Sequence, residues 1–199
     1  MATTNAIAAT TRAILGLLED ACPRDREPFK KLTFAPLHAS AFAGDKTIPE
    51  GFTLCLYRVG INGTLRNLPP RTAPDGTRYK PSLPVDLHYL LTAWADDVEV
   101  QQRLLGWGMR QLEDRTILPA GLLNHYLKER DTFRDDETVE LVSDPLSLAD
   151  FTNLWDKLKP RMQPSMTYVA RMVLLDSDID LREGERVQTR VFQMARLSR

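Results

Sequence analysis

Three stretches of this 199-residue chain, 52–59, 85–94 and 166–175, are long, apolar and rich in the β-branched and aromatic residues that suit a pleated sheet. In the first, Phe52, Leu54 and Leu56 alternate with Thr53, Cys55 and Tyr57, so both faces are fairly apolar and the segment reads as a central strand. In the second, Val85, Leu87, Tyr89 and Leu91 alternate with Asp86 and His88, which predicts one buried face and one partly polar face. The third is apolar nearly throughout. Shorter β signals surround them: an extended run around 32–37, a half-exposed strand over 137–143 carrying Val139 and Leu141, and a last strand over 186–197 carrying Val187, Thr189, Val191 and Gln193.

Helical period occupies the intervals. Ile7, Ala8, Ile14, Leu15, Leu17 and Leu18 mark an amphipathic helix over 5–20, with Thr3, Thr4 or Asn5 as its cap, and the Cys22 to Pro28 segment ends it. Val100, Leu104, Leu105, Trp107, Met109 and Leu112 mark a second over 98–112 behind Asp96 and Asp97. Ser147, with Asp150 three residues later, opens a third whose face carries Leu148, Phe151, Leu154, Trp155 and Leu158. Between 60 and 83 the Asn62-Gly63, Pro69-Pro70 and Pro74-Asp75-Gly76 turns predict the longest irregular stretch; 116–128 gives a mixed signal, and 176–184 reads as a polar turn. The expected fold is α/β of the α+β kind, a mixed and mainly antiparallel sheet flanked by about three helices in one domain over 1–199.

The charge balance excludes one class of partner. With 26 basic and 27 acidic side chains, net charge −1, no overall field draws the chain to nucleic acid or an anionic membrane, and neither is expected as a partner. No apolar run is long enough to span a bilayer, and the opening Met-Ala-Thr-Thr-Asn has no basic and apolar secretion pattern, so a cytoplasmic origin is expected. Cys22 and Cys55, without a second pair at metal spacing, read as two buried or unreactive thiols.

Catalytic signatures fail one after another. Asp176, Asp178 and Asp180 have the spacing that opens a calcium loop, but Leu181 and Val187 stand where glycine and glutamate are needed, which leaves a solvated acidic turn. His38, His88 and His125 stand alone, and Gly106-Trp107-Gly108 lies within a helical pattern, where tight packing explains it better than a dinucleotide loop. Nucleophile elbows and phosphate loops are missing, so no catalytic, cofactor-binding or metal-ligating residue is expected. Arg58, Arg66, Arg71, Arg78 and Lys80, with Tyr57 and Tyr79, give the 60–83 region a basic bias that reads as a solvated or protein-contacting loop.

The order of segments resembles the cap, or tube-terminator, proteins of extracellular contractile injection systems. The resemblance rests on Ala-Ile-Ala-Ala-Thr-Thr-Arg-Ala-Ile-Leu at 6–15 with Leu-Leu-Glu after it, and on Leu-Cys-Leu-Tyr-Arg-Val at 54–59 followed by Asn62 and Leu65-Arg66-Asn67. It continues through Pro-Val-Asp-Leu-His-Tyr-Leu-Leu-Thr at 84–92, Leu104-Leu105-Gly106, the Leu-Trp pair within 148–158, and Pro-Ser-Met-Thr-Tyr leading to 173–177. A long insertion-like stretch near 118–134 departs from the pattern.

This resemblance implies a tail-terminator-like, non-enzymatic subunit in a homo-oligomeric ring, expected to be a hexamer, seated on the inner tube protein and gripping the sheath protein. Assembly is expected in the cytoplasm, within a particle that can be released. The residues expected to meet partners are Arg58, Asn62, Arg66 and Asn67 in the first loop, with Leu65 pinned to the core, and Arg186, Arg190 and Gln193 on the last strand, a candidate sheet edge. Two other readings stand beside this one: a small hydrolase or ligand-binding domain using Asp86, His88 and Tyr89, and a phage-like neck or baseplate adaptor.

Overall fold

The computed structural model describes residues 5–42, 48–127, 132–158 and 162–181. The expected last strand, with Arg186, Arg190 and Gln193, lies outside the described residues. In chain order the elements are α1 (Ala6–Ala21), β1 (Thr33–Pro36), α2 (Ala39–Phe42), β2 (Gly51–Ile61), β3 (Arg71–Thr72), β4 (Arg78–Tyr79), β5 (Leu83–Trp94), α3 (Val98–Glu113), β6 (Ile117–Pro119), α4 (Ala120–His125), β7 (Thr138–Ser143), α5 (Leu148–Leu158) and β8 (Ser165–Leu175). A six-stranded sheet in the order β1-β2-β5-β8-β7-β6 forms the body, and β3 with β4 makes a separate hairpin. Every neighbouring pair in the large sheet is antiparallel except β1 with β2. This is the mixed, mainly antiparallel sheet that the alternation predicts.

The three long apolar strands form the centre of the sheet, where both faces are covered over much of their length. On one face Phe52, Leu54, Leu87, Tyr89, Leu91, Tyr168 and Ala170 pack with α1, α3 and α4 into the main core. Ala6, Ala9 and Ala13 are fully buried on α1, and their small side chains let the helix lie close to the strands. On the other face Cys55 and Leu90 meet Phe42 of α2 and Trp155 and Leu158 of α5. Phe42 stands edge-on to Trp155 at 5.4 Å between ring centroids.

Two of the three expected caps form. The Asp97 carboxylate accepts from the Val100 amide at 2.9 Å, and the Ser147 hydroxyl accepts from the Asp150 amide at 3.1 Å while donating to its carboxylate at 2.6 Å. Asn5, by contrast, has helical backbone angles and makes no side-chain capping bond; Thr3 and Thr4 lie outside the described residues. The α1 helix stops where Cys22 turns extended ahead of Pro23. Cys22 and Cys55 are both free, and burial pushes each thiol up from its usual value, away from the reactive thiolate.

Four expectations need correction. The 60–83 interval is not irregular throughout: β2 runs on to Ile61, and the β3–β4 hairpin closes around Asp75-Gly76, where Gly76 takes φ 86° and the Asp75 carboxylate accepts from the Thr77 amide at 2.9 Å. The mixed 116–128 signal resolves into β6 and then α4. Only half of the Gly-Trp-Gly reading holds: a Cβ on Gly108 would strike the Phe52 ring, whereas Gly106 faces open space. The Asp176 carboxylate is buried rather than solvated.

Candidate functional site

Asn62 follows the last residue of β2, and its side chain ties the next loop to the sheet. Its amide nitrogen donates to both Asp86 carboxylate oxygens, at 3.1 and 3.3 Å, while its amide oxygen accepts from the backbone of Thr64 at 3.0 Å and of Leu65 at 3.2 Å. Asp86 sits where the β5–β8 register slips, and it also accepts from the Met172 amide at 3.2 Å. Met172 takes φ 65°, unusual for a side chain other than glycine and here part of the bulge. One clasp therefore fixes the loop, two central strands and their irregularity together.

The other described residues expected to meet partners lie on β2 and in the loop that follows it. Asn62 is half-buried in the clasp, whereas Arg66 and Asn67 beyond it are exposed, as is Arg58 on β2. Leu65 is only half-buried and does not belong to either core cluster, so its expected anchoring falls to Asn62 instead. Exposed guanidinium groups suit planar hydrogen bonding to another protein.

There is also a buried ionic cluster. The Asp176 carboxylate, 2% exposed, accepts from Arg134 at 2.8 Å and from the Ser82 hydroxyl at 2.5 Å, and lies 3.4 Å from Arg71. Arg71 in turn stacks 4.3 Å over the Tyr79 ring, and Arg134 pairs with Glu137 at 2.9 Å. Burial pushes the Glu137 carboxyl up, against the pull of the Arg134 charge. Asp176 thus secures the hairpin to the body, which is why the solvated reading fails. Asp178 and Asp180 are exposed.

Asp86, His88 and Tyr89 are brought near one another by β5 but do not converge. Asp86 is taken up by Asn62, and His88 pairs through Nδ1 with Asp144 at 3.0 Å. Tyr89 points into the opposite layer, where its buried hydroxyl meets Thr11 at 3.0 Å and burial raises it well above the usual phenol value. Among the described residues no group of three or more His, Cys, Asp and Glu is placed to hold a metal, and no helix is long and apolar enough to cross a membrane. A cleft of about 670 Å³ lies elsewhere, between α1 and the β1–β2 edge, with Ile7, Thr11, Pro36, Leu54 and Leu56 on its walls.

Comparison with known proteins supplies the context for these residues. A family model described as the Pvc16 N-terminal domain matches residues 9–189. Among solved structures, the PVC sheath/tube terminator of an extracellular contractile injection system, in its extended state, superposes with a TM-score of 0.58 at 15% identity, over 96% of this chain and 65% of that one. The anti-feeding prophage cap, a tube-terminating cap, gives 0.55 at 14% identity, over 95% of this chain and 60% of that one. The chain thus spans somewhat less than two thirds of the length of these neighbours. No curated protein sequence matches it. The expected tail-terminator-like fold is borne out.

Proposed function

Because the chain belongs to the Pvc16 N-terminal domain family, we propose that it is a structural subunit closing the end of a phage-tail-like contractile injection particle. The family match over residues 9–189 carries this reading. The fold shared with a sheath/tube terminator and a tube-terminating cap supports it, as do the exposed Arg58 and Arg66 and the failure of Asp86, His88 and Tyr89 to converge. The chain acts as one tail-terminator-like domain without catalysis, and copies of it form a hexameric ring on the inner tube and bind the sheath. Assembly takes place in the cytoplasm before the particle is released. A ring needs heterologous contacts, in which one patch meets a different patch on the next copy.

Arg58, Asn62, Arg66 and Asn67 are the contact residues among the described residues, Asn62 also tying down the loop that carries Arg66 and Asn67; Arg186, Arg190 and Gln193 are the contact residues of the last segment. A hydrolase built on Asp86, His88 and Tyr89 is disfavoured, because the three side chains are engaged in three different places.

Reversing both exposed charges tests the surface. The double variant Arg58→Glu with Arg66→Glu should keep its far-UV circular dichroism and melt within a few degrees of the parent, since surface changes away from packing cost about 0.5 kcal/mol or less. Its incorporation into particles, measured by quantitative blotting of purified particles, should fall at least about tenfold, the cost of like-charge contact at an interface. Undiminished incorporation would remove this surface from the account.

A further inference from the structure

The β5 strand covers one edge of β2 along its whole length, but among the described residues β1 covers only part of the other. On the side away from β5, β1 pairs with Gly51 to Leu54, and the last bond there runs from the Leu37 amide to the Leu54 carbonyl at 3.0 Å. From Leu56 to Ile61 no strand among the described residues lies on that side. Such an edge presents unpaired backbone groups, which proteins ordinarily blunt or cover. Here it also carries an apolar stripe. Leu54 and Leu56 face the main core, and beyond the bulge at Leu56/Arg58, Val59 and Ile61 stand opposite Leu87 and Val85 on that same face. Val59 is 48% and Ile61 54% exposed, and the 670 Å³ cleft continues the stripe past Leu56 and Leu54 to Ile7 of α1. Open backbone beside apolar side chains is what an added strand needs, the first for hydrogen bonds and the second for cross-strand packing.

The direction in which the described chain leaves the body points to the occupant. After β8 it joins the hairpin: the Lys80 amide donates to Ile179 at 3.0 Å, the Leu181 amide donates to Arg78 at 2.7 Å, and Tyr79 bridges to Asp180 antiparallel. Residues 80–83 lead toward β5 and the Ile61 end of β2, so residues 179–181, running the other way, lead out toward the Asp75-Gly76 turn. To cover its own β2 edge the chain would have to double back over the hairpin, whereas an edge on another copy requires no reversal. Residues 182–199 reach about 60 Å when extended, and 187–191 carry the alternating Val187, Thr189 and Val191 that match an apolar stripe.

We infer that the Leu56–Ile61 edge of β2 is a strand-acceptor site filled by residues 186–197 of a second copy of this chain. This rests on the proposed ring and specifies one of its contacts: donor segment and acceptor edge are different surfaces, so the contact is heterologous and passes from copy to copy.

A photo-reactive benzophenone side chain placed at Ile61 of the full chain, made in its native producer alongside isotope-labelled wild-type chain, reads the occupant directly. Illumination should give covalent oligomers whose cross-linked peptide is 186–197 of the other isotopic form. Val191→Pro removes one ladder donor and should cut the cross-linked yield about a hundredfold while the melting temperature of the free subunit is unchanged. Cross-links within one chain, cross-links to a different protein, or a yield indifferent to Val191→Pro overturn the inference; if the chain still enters particles in those cases, the proposed function stands. A chain that forms no oligomer and enters no particle overturns both.

Discussion

Gly51→Ala is expected to lower the stability of the free subunit by about 3 to 5 kcal/mol, combining the cost of a side chain at positive φ with that of overpacking. Gly51 opens β2 at φ 139°, a conformation that only glycine adopts readily. A Cβ there would overlap the Thr33 carbonyl oxygen, and the obstruction is backbone that cannot swing aside. Thr33 is also the residue with which Gly51 pairs in the one parallel contact of the sheet, so relief of the clash would pull β1 away from β2. Urea unfolding should show a lower midpoint with an unchanged slope. Gly106→Ala is the control: it faces open space on the exposed side of α3 and should be neutral or stabilising by up to about 1 kcal/mol. Equal midpoints for Gly51→Ala and the parent would contradict the β1–β2 geometry.

Asp176→Ala is the second large effect, expected at about 3 kcal/mol. The substitution leaves Arg71, whose side chain is 13% exposed, and the partly buried Arg134 without their shared carboxylate. Loss of a partner from a buried pair costs about 3 to 5 kcal/mol where the remaining charge is stranded; Arg134 is 31% exposed and keeps its pairing with Glu137, which sets the estimate at the low end. The damage should be local as well as global. Arg71 is the hairpin's ionic tie to the body, beside its backbone bonds to residues 179–181, so amide exchange over residues 71–79 should accelerate more than over residues 87–91 of β5. Uniform acceleration, or none, would mean that Asp176 does not fasten the hairpin.

How much of this was legible in the residues follows from the period each element imposes. The β2, β5 and β8 strands were visible because they are long and buried on one or both faces, so each repeats its pattern several times. The β3 and β4 strands have two residues each and carry no period; their only trace was the Pro-Asp-Gly turn. Residues 116–128 were ambiguous because Pro119 both ends β6 and precedes α4, a helix of six residues whose α period is too short to register.

The candidate surface was half legible. Asn62, Arg66 and Asn67 stood out as a turn with attached charges, but the clasp from Asn62 to Asp86 joins residues 24 apart and appears only once β2 and β5 are paired. Asp176 drew attention for its spacing with Asp178 and Asp180, yet its partners Arg71 and Arg134 are far away in the chain, and pattern alone could not show it buried. The β2 edge that no described strand covers beyond Leu54 is hidden for the same reason: which edges are paired is a property of the sheet order.

Electron microscopy of purified particles tagged through this chain bears most directly on its assignment as a particle cap. Label is expected at one tip of each particle, on a ring continuous with the inner tube. Label spread along the shaft, or a tagged chain that stays monomeric and never joins a particle, would contradict it.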